Sequence, residues 1–85
     1  MDEPNRLPPP PFWRTRYFAM QVLARRRYLD PIEIQRIIAA PDRRLVQPDG
    51  RIRLYGYVPR LAGSLRVVLL EDGETVHNAF LDRDE

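Results

Sequence analysis

The sequence predicts an α+β fold in which two N-terminal helices pack on one face of a four-stranded antiparallel meander, in the order ααββββ. Three observations predict it. Apolar residues recur at helical spacing as far as Pro41 and at alternate positions after Asp42. The pair Asp30-Pro31 is a strong helix start, and Asp72-Gly73 is a strong hairpin turn between two β-rich runs. With 85 residues the chain suffices for one modest core and is too short for two. We divide it into a Pro-rich flexible arm, residues 1–12, and a single α+β domain, residues 13–85.

Each element has a local reason. Pro4 and the run Pro8 to Pro11 exclude a helix from the arm, which reads as polyproline-like or disordered and as a conceivable ligand for a proline-binding partner. From Trp13 to Tyr28 neither Gly nor Pro intervenes, and Phe18, Ala19, Met20, Val22, Leu23 and Ala24 form a broad apolar stripe, so a first helix is expected there. Arg25, Arg26 and Arg27 fall in its last turn, where cations meet the negative end of the helix dipole.

The second helix, 31–40, is expected to be capped by Asp30, to carry Pro31 at its first position and Glu33 as the far half of a capping box, and to bury Ile34, Ile37 and Ile38. Leu29 and Ile34 are spaced for a hydrophobic staple, and Pro41 stops the helix. Strands follow at 45–47, 51–58, 64–70 and 75–81, separated by the Pro48-Asp49-Gly50 turn, a loop over 59–63 and the Asp72-Gly73 turn.

Composition excludes several site classes. There is no cysteine and only one histidine, so disulfides, thiolate metal sites and His-based zinc sites are ruled out. No glycine-rich phosphate loop or calcium-type spacing of acids is present, and no cofactor is expected. No apolar run approaches the length of a membrane span, so no membrane partner is expected and a cytoplasmic setting is the default.

The net charge of +2 conceals an asymmetry: twelve of the fourteen arginines lie in residues 14–66 with four acids, whereas residues 67–85 hold six acids and one arginine. All the basic residues are Arg, whose planar fork suits phosphate, although GC-rich coding bias yields the same composition. Position is therefore more informative than number.

The segment Arg51 to Val58 is the most informative. On a strand, Arg51, Arg53, Tyr55 and Tyr57 share one face, and Ile52, Leu54, Gly56 and Val58 share the other. Guanidinium forks interleaved with aromatic rings bind phosphates and stack bases, and the same residues also stabilise a sheet by cross-strand pairing. Arg66 and Arg60 extend that surface. His77 is the only side chain that titrates near neutrality, and strict alternation puts it on the face of Ala79 and Leu81.

Taken in order, the Arg-rich turn, Asp30-Pro31-Ile32-Glu33-Ile34, Pro41, Asp49-Gly50-Arg51, Leu65-Arg66-Val67-Val68-Leu69 and Val76-His77-Asn78-Ala79-Phe80 resemble the small bacterial RelE/BrnT-like toxins, over about Tyr17 to Asp82. These belong to the barnase, colicin and RelE-type ribonuclease group. The resemblance implies a toxin-like, metal-independent endoribonuclease of a toxin-antitoxin system, with RNA as substrate and an antitoxin-like protein across the basic face. It carries over Arg51, Arg53, Tyr55, Arg66 and His77. His77 would serve as base or acid, Arg53 and Arg66 as phosphate stabilisers, and Tyr55 or Tyr57 as a stacking platform or second proton donor. Arg51, Tyr57, Arg60, Arg25, Arg26 and Arg27 would hold nucleic acid. Many relatives carry a histidine in the first helix, where this chain has Tyr17, Phe18 and Ala19. Two other readings stand beside it: a non-catalytic nucleic-acid-binding module, and a protein-interaction adaptor using the Pro-rich arm.

Overall fold

The computed structural model describes residues 12–83. The Pro-rich run lies outside the described residues, but Phe12, assigned above to the arm, is buried against the Phe18 ring at 6.1 Å between centroids.

The chain is α+β, with two helices and a five-stranded mixed sheet in the order β1-β5-β4-β3-β2. The strands are β1 (Trp13–Arg14), β2 (Arg43–Val46), β3 (Ile52–Val58), β4 (Gly63–Leu69) and β5 (Thr75–Asp82). The expected four-stranded antiparallel sheet is corrected by β1, which pairs parallel with β5, Trp13 opposite Thr75 and Arg14 opposite Val76. A two-residue strand has no periodicity, and its partner is remote in sequence, so nothing local announces it.

The first helix, α1, is consequently shorter than the expected 13–28. It comprises a π-helical turn, Phe18–Val22, that runs into the α-helical turn Leu23–Arg25. Thr15 opens it, accepting the Phe18 N–H on Oγ1 at 3.0 Å. It ends at Arg26, whose backbone leaves helical geometry as its side chain reaches over to β5. Phe18 and Val22 are its buried residues.

The second helix, α2, spans Pro31–Ala39. Asp30 caps it, accepting the Ile32 N–H at 2.9 Å, and Leu29 and Ile34 are both buried. The other half of the expected capping box does not serve that role: Glu33 instead takes the Arg60 guanidinium, with Nη2 to Oε1 at 2.7 Å and Nε to Oε2 at 3.1 Å. That pair ties α2 to the single 3₁₀ turn Pro59–Leu61, which lies within the expected loop.

The antiparallel registers assign the two faces. Ile52, Leu54, Gly56 and Val58 of β3 stand opposite Leu69, Val67, Leu65 and Gly63 of β4. Helices cover this side, where Phe18, Val22, Ile34 and Ile37 join the strand residues in one core. Gly56 permits the approach of α2, since a Cβ there would lie 2.4 Å from Cγ1 of Ile37.

The β4-β5 turn is held by Asp72, whose carboxylate accepts the hydroxyl of Thr75 and the backbone N–H groups of Thr75 and Glu74. Those bonds, the Thr75 hydroxyl first, keep Asp72 below the usual carboxylate range. Gly73 supplies the left-handed backbone at φ 71°. No described helix is long and apolar enough to cross a membrane.

Candidate nucleic-acid interface

Opposite the core, a row of side chains crosses the sheet. Arg43 of β2 faces Tyr55 of β3, Tyr55 faces Arg66 of β4, and Arg66 faces Phe80 of β5. The contacts follow the register. The Arg43 guanidinium carbon lies 5.2 Å from the Tyr55 ring centroid and that of Arg66 lies 5.5 Å from it; Arg66 is also 4.9 Å from the Phe80 centroid. Arg26, arriving from the end of α1, completes the row at 5.7 Å over Phe80. Each cation thus sits on an aromatic face rather than beside another cation, which makes its desolvation tolerable.

The buried side chains of both helices, Phe18, Val22, Ile34 and Ile37, join the core on the other side of the sheet, and the arginines on this side extend beyond the row. Arg53 occupies the next position of the face on β3, donating Nε to Gln47 Oε1 at 3.1 Å and Nη1 to the Tyr55 hydroxyl at 3.3 Å. Arg51 lies two residues further along, its guanidinium half exposed and 3.9 Å from Asp49. β3 and its neighbours therefore gather Arg43, Arg53 and Arg66 on one surface, and Arg51, just before β3, is close enough to act on His77.

His77 joins the same surface, and an irregularity there separates it from Ala79 and Leu81. Val68 stands opposite Asn78 and Leu69 opposite Val76, so His77 is the extra residue of a β-bulge. The expected alternation is corrected at that point. Val76 and Ala79 both point into the core, while His77 and Asn78 emerge together on the arginine side, and His77 does not share the face of Ala79 and Leu81. Its Nδ1 lies 3.1 Å from Thr15 Oγ1, and the Tyr17 ring stacks beside it at 5.1 Å, tilted by 33°. Burial, and then the positive field of Arg51, lower its pKa below the usual 6.5. Because Thr15 Oγ1 already accepts the Phe18 N–H, its own hydrogen is free to point at Nδ1. In that arrangement the neutral ring carries its proton on Nε2.

The other sequence candidates are dispersed. Tyr55 is only 3% exposed, so it lies under the arginines and offers no open ring for stacking. Arg66 is ion-paired to the buried Asp82, which offsets most of its charge. Arg60 is occupied by Glu33 and the Tyr28 carbonyl, on the side of α2. Tyr57 is exposed at the rim, where it also borders a cleft with Glu33 and Arg36. Arg26 is bonded to Asn78 Oδ1 at 3.0 Å and to the Ala79 carbonyl at 3.4 Å, covering the open edge of β5. Arg25 lines a small cavity beside Arg26, and Arg27 lines a separate groove with Leu23, Leu29 and Pro31.

Sequence reasoning missed Arg43, Phe80, Thr15 and Tyr17. Their signal lies in strand register: Arg43 in the β2-β3 pairing, Thr15 and Tyr17 in the pairing of β1 with β5, and Phe80 in the bulge at His77. Compared with known proteins, the chain matches no family model, and no curated protein or solved structure matches it at a significant level.

Proposed function

We propose that the face of the sheet opposite the core binds single-stranded nucleic acid, RNA in the first place. One observation carries this reading: Arg43, Arg53 and Arg66 emerge on the same side of adjacent strands, with His77 and Asn78 on that side too and Arg51 near His77. A polyanion laid across this surface meets the guanidiniums of Arg51 and Arg53 and releases its own counterions. The row Arg43-Tyr55-Arg66-Phe80-Arg26 holds the surface in shape, and the half-exposed Arg51 and the neighbouring Arg53 are its phosphate contacts. An acidic partner protein, the antitoxin-like regulator that the resemblance implies, would meet the same charges.

The test is a titration of short single-stranded RNA at several salt concentrations with Arg53→Ala and, on the helix side, Arg36→Ala. Binding that weakens steeply with salt is expected, and Arg53→Ala should weaken it about tenfold and lower the logarithmic salt slope by about 0.7 to 1. Arg36→Ala should change it far less. Equal losses in the two variants would leave the face with no special role.

A second reading, endoribonuclease activity centred on His77, is favoured by the lowered pKa of a histidine placed on this face. It needs the opposite tautomer, with Nδ1–H donating to Thr15 Oγ1 and Nε2 bare to take the proton of a ribose 2′-hydroxyl. Arg51 is then the phosphate stabiliser nearest to hand, because Arg66 is committed to Asp82. His77→Ala should abolish strand scission while RNA binding persists, and scission retained at full rate would remove His77 from the chemistry.

A further inference from the structure

We infer that the cavity on the flank of α1 lined by Tyr17, Gln21, Val22, Arg25 and Arg26 is a pocket for the terminal phosphate monoester of a nucleic-acid strand. The inference rests on the nucleic-acid reading of the adjoining face and names the strand end as the feature recognised.

Size, chemistry and position agree. The cavity holds about 120 Å³. That is room for several waters, enough for a phosphate group. Arg25, Arg26, Gln21 and Tyr17 line it together with Val22, and among the described residues no acid does. A terminal phosphate carries a charge of about −1.5 to −2, against −1 for an internal phosphodiester, and so better matches two arginines. Tyr17, Gln21 and Arg25 are spaced four residues apart, so the pocket runs along the flank of the helix to its last turn, where Arg25 and Arg26 stand.

Its walls are also the last residues of the open face. Tyr17 stacks on His77, and Arg26 stacks on Phe80 and binds Asn78. A strand laid across the arginines toward β5 therefore runs into this cavity at the sheet edge. The edge itself takes no further strand there, because Arg26 caps the Ala79 carbonyl and the Tyr28 hydroxyl accepts the Leu81 N–H at 3.0 Å.

The experiment compares three otherwise identical single-stranded RNAs, bearing a 5′-phosphate, a 3′-phosphate or hydroxyls at both ends, by anisotropy of an internally placed fluorophore on the full chain. One phosphorylated end is expected to bind about tenfold tighter than the hydroxyl-ended strand, the gain of one charge-assisted contact. Arg25→Ala should erase that preference, Arg25→Lys should retain part of it, and Arg27→Ala, which removes the same charge from the separate groove, should keep it. Three strands that bind equally to the unaltered chain would overturn the pocket and leave the face reading standing. Failure of all three to bind would overturn the face reading and the pocket with it.

Discussion

His77 shows how one side chain reports on the whole surface. Partial burial, with a smaller contribution from Arg51, makes its charged form costly in the folded chain. The sign follows directly: the unfolded chain takes the proton first, near 6.5. The contribution of His77 to stability is therefore complete above that pH, declines as pH falls through 6.5, and levels off once the lower folded pKa is passed. A proton NMR titration of its ring should give a midpoint below 6.5, and a midpoint at or above 6.5 would contradict the packing against Thr15 and Tyr17. Gly56 gives a second single-residue test. Ala at 56 would drive its Cβ into Ile37, so Gly56→Ala should destabilise by about 1 to 3 kcal/mol in urea unfolding, and adding Ile37→Val should recover part of the loss. An Ala variant as stable as the parent would mean that α2 is not seated as described.

Elements set by a local signal were legible in the sequence. Asp30, Pro31 and Pro41 define α2 almost to the residue, and the Asp49-Gly50 and Asp72-Gly73 turns separate strands whose bounds differ from expectation by a residue or two. Removing the cap with Asp30→Ala should cost about 1 kcal/mol, read as a lower urea midpoint at unchanged slope. What was not legible depends on partners remote in sequence. β1 exists only because Thr75 and Val76 offer it an edge, and α1 starts late because the chain is first committed to that pairing. The bulge is the more consequential case. Strict alternation from the Asp72-Gly73 turn puts Arg66 opposite Ala79 and keeps Ala79 and Leu81 on the arginine side with His77, whereas the extra residue at His77 shifts the partner to Phe80 and sends Ala79 and Leu81 to the core side. Of the candidate site, the Arg51 and Arg53 face was readable from period-two spacing, but the fate of Arg60 and Arg66 was not. Their acids, Glu33 and Asp82, become neighbours only through the tertiary fold.

At the level of the whole molecule, the two sides of the sheet divide the work. The helix side holds the apolar core, and the other side carries guanidiniums supported by aromatic rings and one buried acid. The most direct test is an NMR titration of the isotopically labelled chain with a short single-stranded RNA. Shift changes are expected to concentrate on Arg43, Arg51, Arg53, His77 and Asn78, to extend to Tyr17 and Arg25, and to fade as salt is raised. Changes centred instead on the outward residues of α2, such as Ile32, Gln35 and Arg36, or no changes at low salt, would contradict it.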